Sequence, residues 1–267
     1  MQNINLLFVL QPLIVTALSV GLILYWRLKR RFKWIILLYT AIAYVFAIAL
    51  KYVLQFFTAS AVVSSFGAQS VPVGVYYGLQ TMLFEVGIAY VVAWYATSRK
   101  RLDARDAEAY GLGLSFYENG VLLGVLPLIN LVFIYTLLSS DTAIASTIYT
   151  QLVNTQPTLF YPTSEALPLV GYGVLERFSS LLIHFAWGYL CLIAAAFHKK
   201  RYFLLALPMG FIDFFVPFAS TLTLPVFEAL IFGLAVVSVA VAFLSTRRLP
   251  KSSPAENESA QKSNLIR

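Results

Sequence analysis

Residues 171–201 read GYGVLERFSSLLIHFAWGYLCLIAAAFHKKR. From Gly171 to Phe197 the stretch is almost wholly apolar, and about 20 such residues are enough for a helix to cross a bilayer. The run stops abruptly at Lys199, Lys200 and Arg201. A long apolar run closed by a basic turn reads as a membrane span whose end lies on the cytoplasmic side. Three residues break the pattern: Glu176, Arg177 and His184.

Working outward, the same pattern recurs. Apolar runs fall at about 4–26, 34–57, 73–96, 108–138, 171–197, 203–219 and 223–245. The first has no basic segment before it and no A-x-A site, so it reads as a span rather than a signal peptide. Composition agrees: 60% of the 267 residues are hydrophobic and 12% are charged, where a soluble chain carries about 25% charged residues. A soluble globular domain is excluded, and the single cysteine excludes a disulfide framework or a CxxC metal site.

The net charge of +7 would ordinarily point to nucleic acid, but the placement of the charges gives a different reason for it. Seventeen of the nineteen Lys and Arg residues lie in loops 27–33, 97–107 and 198–202 or in the stretch after Thr246. Loops 58–72, 139–170 and 220–222 hold none. Seven spans place every basic loop on one side, which predicts an outside N-terminus and a cytoplasmic C-terminus. The expected fold is therefore an all-α, multi-pass membrane domain over residues 1–246. A polar cytoplasmic tail, disordered by composition, follows over 247–267. The expected location is a cell membrane, with membrane lipids as partners and no nucleic acid. Loop 139–170 suits either a short interfacial helix or a plain connector.

Ionisable residues inside spans are costly, about 2.5–3.5 kcal/mol each at the centre, and are functional candidates by default. At about 1.5 Å rise per residue, Glu85, Glu118, His184 and Asp213 fall near the midplane. Lys51, Glu176, Arg177 and Glu228 fall nearer the outer surface, where they are expected to pair with one another. Carboxylates and an imidazole at one depth suit metal coordination or proton transfer. Around Glu118, the stretch GLGLSFYENGVLLG (111–124) sets Gly113, Gly120 and Gly124 at helical spacing, which permits close helix approach. Pro208 and Pro217 bracket Asp213 and free backbone carbonyls there, which implies a wet cavity.

With these residues in place the chain resembles the YhfC-type intramembrane metalloproteases. These are a distant branch of the membrane peptidases that include the CAAX-processing and bacteriocin-processing enzymes. The resemblance rests on AYGLGLSFYENG, ERFSSLLIHFAWGYL, HKKRYF and LLALPMGFIDFF, in that order, and covers residues 107–218. It implies that Glu118, His184 and Asp213 are the catalytic and metal-binding residues, supported by Glu176 and Arg177. Glu85 is a further candidate whose membership the sequence leaves open. The implied activity is metal- or carboxylate-assisted hydrolysis of a peptide bond, with zinc as cofactor and a membrane protein or peptide as substrate. One position departs: Met209 stands where the family carries a histidine four residues before the Asp, and a thioether is a poor zinc ligand. Two alternatives therefore stay open. One is a catalytically inactive binding or scaffold relative without metal, and the other is a small proton- or ion-coupled transporter.

Overall fold

A computed structural model describes residues 3–140 and 143–250. Seven helices in it are long and apolar enough to span a membrane: α1 (Leu7–Arg30), α2 (Ile35–Phe66), α3 (Val71–Ser98), α4 (Ala104–Leu138), α6 (Thr163–Ala196), α7 (Lys200–Phe218) and α8 (Leu224–Thr246). A shorter helix, α5 (Ala143–Thr155), lies between α4 and α6. The fold is all-helical, as the hydropathy pattern requires. The polar tail expected over 247–267 lies largely outside the described residues.

Two spans are longer than the apolar runs suggest. Helix α2 continues through TASAVVSSF to Phe66, and Gly67 ends it at φ 84°. Helix α6 starts at Thr163 rather than near 171. Small and hydroxyl-bearing residues lower hydropathy without breaking a helix, because Ser and Thr can return their hydroxyls to the preceding turn. Thr58 does so, bonding the Leu54 carbonyl at 2.7 Å. In the connector after α4, α5 buries Ala145 and Leu152, and Leu152 joins Ile4, Ile134, Leu138 and Leu159 in a small apolar cluster.

Helix α6 is the central post: 78% of its most apolar eighteen-residue stretch is buried, against 11–39% for the other spans. The outer helices turn their bulkiest apolar side chains away from the protein, as with Leu28 (80% exposed) and Phe57 (75%). In lipid such surface is not driven inward, so helices associate through close packing of small residues and interhelical hydrogen bonds. Both devices hold α4 to α6. A Cβ at Gly188 would lie 2.7 Å from Leu114 Cδ1 and 2.8 Å from Gly111 Cα, so the two backbones meet where neither residue has a side chain. Ser115 then donates to the Leu181 carbonyl at 2.8 Å. Tyr110 ties α4 to α3 through the Ala89 carbonyl at 2.7 Å. The other face of the glycine stripe seats α4 on α1 and α2, with Gly120 against Ser19, Gly124 against Thr16 and Gly113 against Thr40.

Candidate metal centre

Three helices change their winding where they carry a midplane acid. Helix α3 widens to a π segment over Thr81–Val86, which includes Glu85. Helix α4 does the same over Phe116–Val125, which includes Glu118. Helix α7 tightens to 3₁₀ over Phe211–Phe218, which includes Asp213. Departures of this kind inside α-helices recur at functional sites, where they re-aim the surrounding side chains.

Glycines then bring α3 and α7 together. A Cβ at Gly210 would lie 2.9 Å from Met82 Cα, one at Gly78 would lie 2.8 Å from the Phe211 ring, and one at Gly74 would lie 2.7 Å from the Phe214 carbonyl. This approach places Asp213 against Thr81, whose hydroxyl donates to Asp213 Oδ2.

On the opposite side of Glu85 stands His184 of α6. Its Nδ1 lies 2.8 Å from the Ser180 carbonyl oxygen. A carbonyl only accepts, so Nδ1 carries the hydrogen and Nε2 is left facing the cluster. Nε2 is in contact with Glu118 Oε2 and lies 3.2 Å from Glu85 Oε2. One atom from each of Glu85, Glu118 and His184 falls within 4.8 Å of the others. Glu85 and His184 are buried, at 7% and 5% exposure, and Glu118 is half-buried.

These three atoms fit a cation. One imidazole nitrogen and two carboxylate oxygens converge, and all three are acceptors when the imidazole is neutral. A nitrogen and two oxygens suit a divalent metal of zinc type. A histidine whose other N–H is held by a backbone carbonyl is the arrangement usual for a metal ligand. Formal charge points the same way. Glu85, Glu118 and Asp213 bring three negative charges to the cluster, and Lys51 supplies one positive charge. A divalent cation would balance the remainder in a region where net charge is expensive.

Lys51 is the residue that sequence reasoning misplaces, in an outer layer with Glu176 or Glu228. Its ammonium lies instead 2.5 Å from Glu85 Oε1, 3.1 Å from Asp213 Oδ2 and 2.7 Å from Thr81 Oγ1. All three of its N–H groups thus have acceptors. The cause is the unexpected length of α2, which moves Lys51 from near a helix end to its middle. The signal for its depth is TASAVVSSF, a segment that is helical despite its low hydropathy.

Asp213 is expected from the sequence among the metal ligands, but its Oδ2 is occupied by Lys51 and Thr81. The third converging atom comes from Glu85. Arg177 pairs with Glu176, its neighbour on α6. Glu228 is 2% exposed, and one of its carboxylate oxygens has no hydrogen-bond partner. Met209 is buried in the main apolar core, 9% exposed.

The cluster opens on one side to a pocket of about 90 Å³, room for several waters. Glu118, His184, Asp213, Ser180 and the Glu176–Arg177 pair line it, with Ile231 and Val216 on the apolar wall. Glu118 turns its other oxygen, Oε1, toward the Ser180 hydroxyl at 3.4 Å.

A membrane-embedded bundle with a buried Glu/Glu/His cluster beside a pocket lined by polar residues defines a class, the multi-pass membrane proteins with a candidate metal centre. The family model for YhfC intramembrane metalloproteases matches residues 14–231, and the chain belongs to that family. The match reaches well outside the 107–218 core that the motifs suggest, and takes in Lys51 and Glu85. Neither curated proteins nor solved structures gave a match to this chain.

Proposed function

We propose that this protein hydrolyses a peptide bond within the membrane, using a metal held by Glu85, Glu118 and His184. The observation that carries this reading is the convergence of those three atoms on one point beside a pocket, in a chain of this family. Zinc is the proposed metal, and when bound it supplies Lewis acidity toward a peptide carbonyl.

The chain's own residues do the rest. The Ser180 carbonyl fixes the His184 tautomer, and Lys51 fixes the rotamer of Glu85 by taking its Oε1. Glu118 has two oxygens with separate duties. Oε2 belongs to the converging set, while Oε1 faces the pocket near Ser180 and accepts the proton of an attacking water. As a general base it then returns that proton to the departing amine. Asp213 accepts a hydrogen bond from Lys51 and so holds the ammonium against Glu85. The substrate is a membrane protein or membrane-inserted peptide, entering past the Glu176–Arg177 pair. The basic loops lie on the cytoplasmic side and the N-terminus outside.

The test is metal content by mass spectrometry on detergent-purified protein, wild type beside His184→Ala. About one zinc per chain in the wild type, lost in the variant, supports the reading. Cleavage of membrane-inserted peptides, absent in Glu118→Gln, completes it. No metal after zinc loading would overturn it. That outcome would favour a catalytically silent relative, the second reading, whose supporting observation is Met209 at the family's histidine position.

A further inference from the structure

The start of α7 and the end of α8 enclose a second pocket, of about 600 Å³. Four cations line it: Lys199 from the α6–α7 turn, Arg201 from the first turn of α7, and Arg247 and Arg248 just past the end of α8. All four are exposed, and no acidic residue lines the pocket among the described residues. The Arg201 guanidinium bonds the Tyr202 hydroxyl at 2.7 Å, an uncharged partner.

The contrast with the neighbouring basic corner is informative. There, Arg30, Arg31, Lys33 and Arg105 surround a pocket that also holds Asp103, Asp106 and Glu108. Arg30 Nε lies 3.3 Å from Glu108 Oε2, and three acids there offset all but one of the four cations. The α7–α8 pocket has no such acids among the described residues. A general bias toward basic loops explains why cations lie at this end of the bundle. It does not explain why one pocket gathers four of them without an acid.

Two further features favour an anion with a phosphate group. Helix α7 begins inside this pocket, over Lys200–Gly210, and no side chain caps its first turn. The positive end of the α7 dipole adds to the potential of the pocket, which Lys199, Arg201 and Tyr202 line at the helix start. The pocket wall also includes Leu205 and Leu244, which are 39% and 63% exposed. A cationic cradle bounded by exposed leucines matches an amphiphile with an anionic head.

We propose that the α7–α8 pocket binds a phosphate-bearing anion, from a lipid headgroup or free in solution. The full chain, purified in detergent, would be offered equal amounts of phosphatidylglycerol and phosphatidylcholine and examined by native mass spectrometry. A parallel sample would receive inorganic phosphate alone, read by thermal unfolding. Preferential retention of one phosphatidylglycerol would assign the site to lipid. Stabilisation by millimolar phosphate, without lipid preference, would assign it to free phosphate.

In either case Lys199→Gln/Arg201→Gln and Arg247→Gln/Arg248→Gln should each weaken binding about tenfold or more. These pairs sit on different elements and are exposed, so at least one is expected to fold normally. Arg99→Gln/Lys100→Gln removes the same charge elsewhere and should leave binding unchanged. Absence of both lipid preference and phosphate stabilisation would overturn the proposal. So would an equal loss in the Arg99/Lys100 control, which would reduce the effect to net charge.

Discussion

Lys51 Nζ lies 2.5 Å from Glu85 Oε1, and the side chains are only 14% and 6% exposed. This is an ion pair in the middle of a membrane bundle, and it links α2 to α3. The ammonium also reaches Asp213, so one cation serves two carboxylates on different helices. Glu85 is thereby held with its second oxygen toward His184.

Removing that cation has a predictable result. Lys51→Met leaves the buried Glu85 and the half-buried Asp213 without a counter-charge, and breaking a buried pair in this way costs about 3–5 kcal/mol. Because Lys51 also orients a proposed ligand, metal affinity should fall about 10–100-fold. Thermal unfolding in detergent and metal titration measure the two effects. A Lys51→Met/Glu85→Gln double variant should lose less stability than the summed singles, since the partners are coupled.

The neighbouring acids should separate by role. Glu85→Gln is expected to abolish metal retention, as His184→Ala does. Asp213→Asn keeps all three converging atoms and should weaken metal binding by less than about tenfold, the low end of effects beyond the ligands. Equal loss in Glu85→Gln and Asp213→Asn would place Asp213 among the ligands.

Helix packing around the centre depends on absent side chains. Gly188→Ala puts a methyl 2.8 Å from Gly111 Cα, a backbone atom that cannot step aside. We expect a destabilisation of about 1–3 kcal/mol, typical of overpacking. Chemical unfolding of the variant in detergent checks this. Gly171→Ala is the control, because no atom lies within 4 Å of a Cβ there.

Orientation can be read with thiol labelling, because the native Cys191 is wholly buried and stays silent. Cysteines at Lys29, Lys100 or Arg247 should react only from the cytoplasmic side. Cysteines at Ala68 or Thr150 should react only from outside. Labelling of both sets from one side would contradict the proposed topology.

The site is legible in the sequence only to the level of depth. Counting residues along apolar runs places Glu85, Glu118, His184 and Asp213 in one layer. It cannot tell which of them touch. Uniform steps of about 100° per residue describe a regular helix, but Glu85 and Glu118 sit on π segments and Asp213 on a 3₁₀ segment. Each change of winding rotates the remainder of its helix, so facing cannot be extrapolated from spacing.

What the sequence determined by itself was the membrane character, the number of spans and the asymmetric distribution of basic loops. These arise from hydropathy and charge, which are local and additive properties of the chain. The motif set also carried the family, since order and spacing along the chain are enough for that. The tertiary structure alone decided the contacts at the centre: one atom each of Glu85, Glu118 and His184 within 4.8 Å, and Asp213 Oδ2 bonded to Lys51 and Thr81. Those partners are separated by tens of residues and lie on different helices. They meet because Gly74, Gly78 and Gly210 let α3 and α7 close, and because α2 runs on far enough to carry Lys51 to its middle.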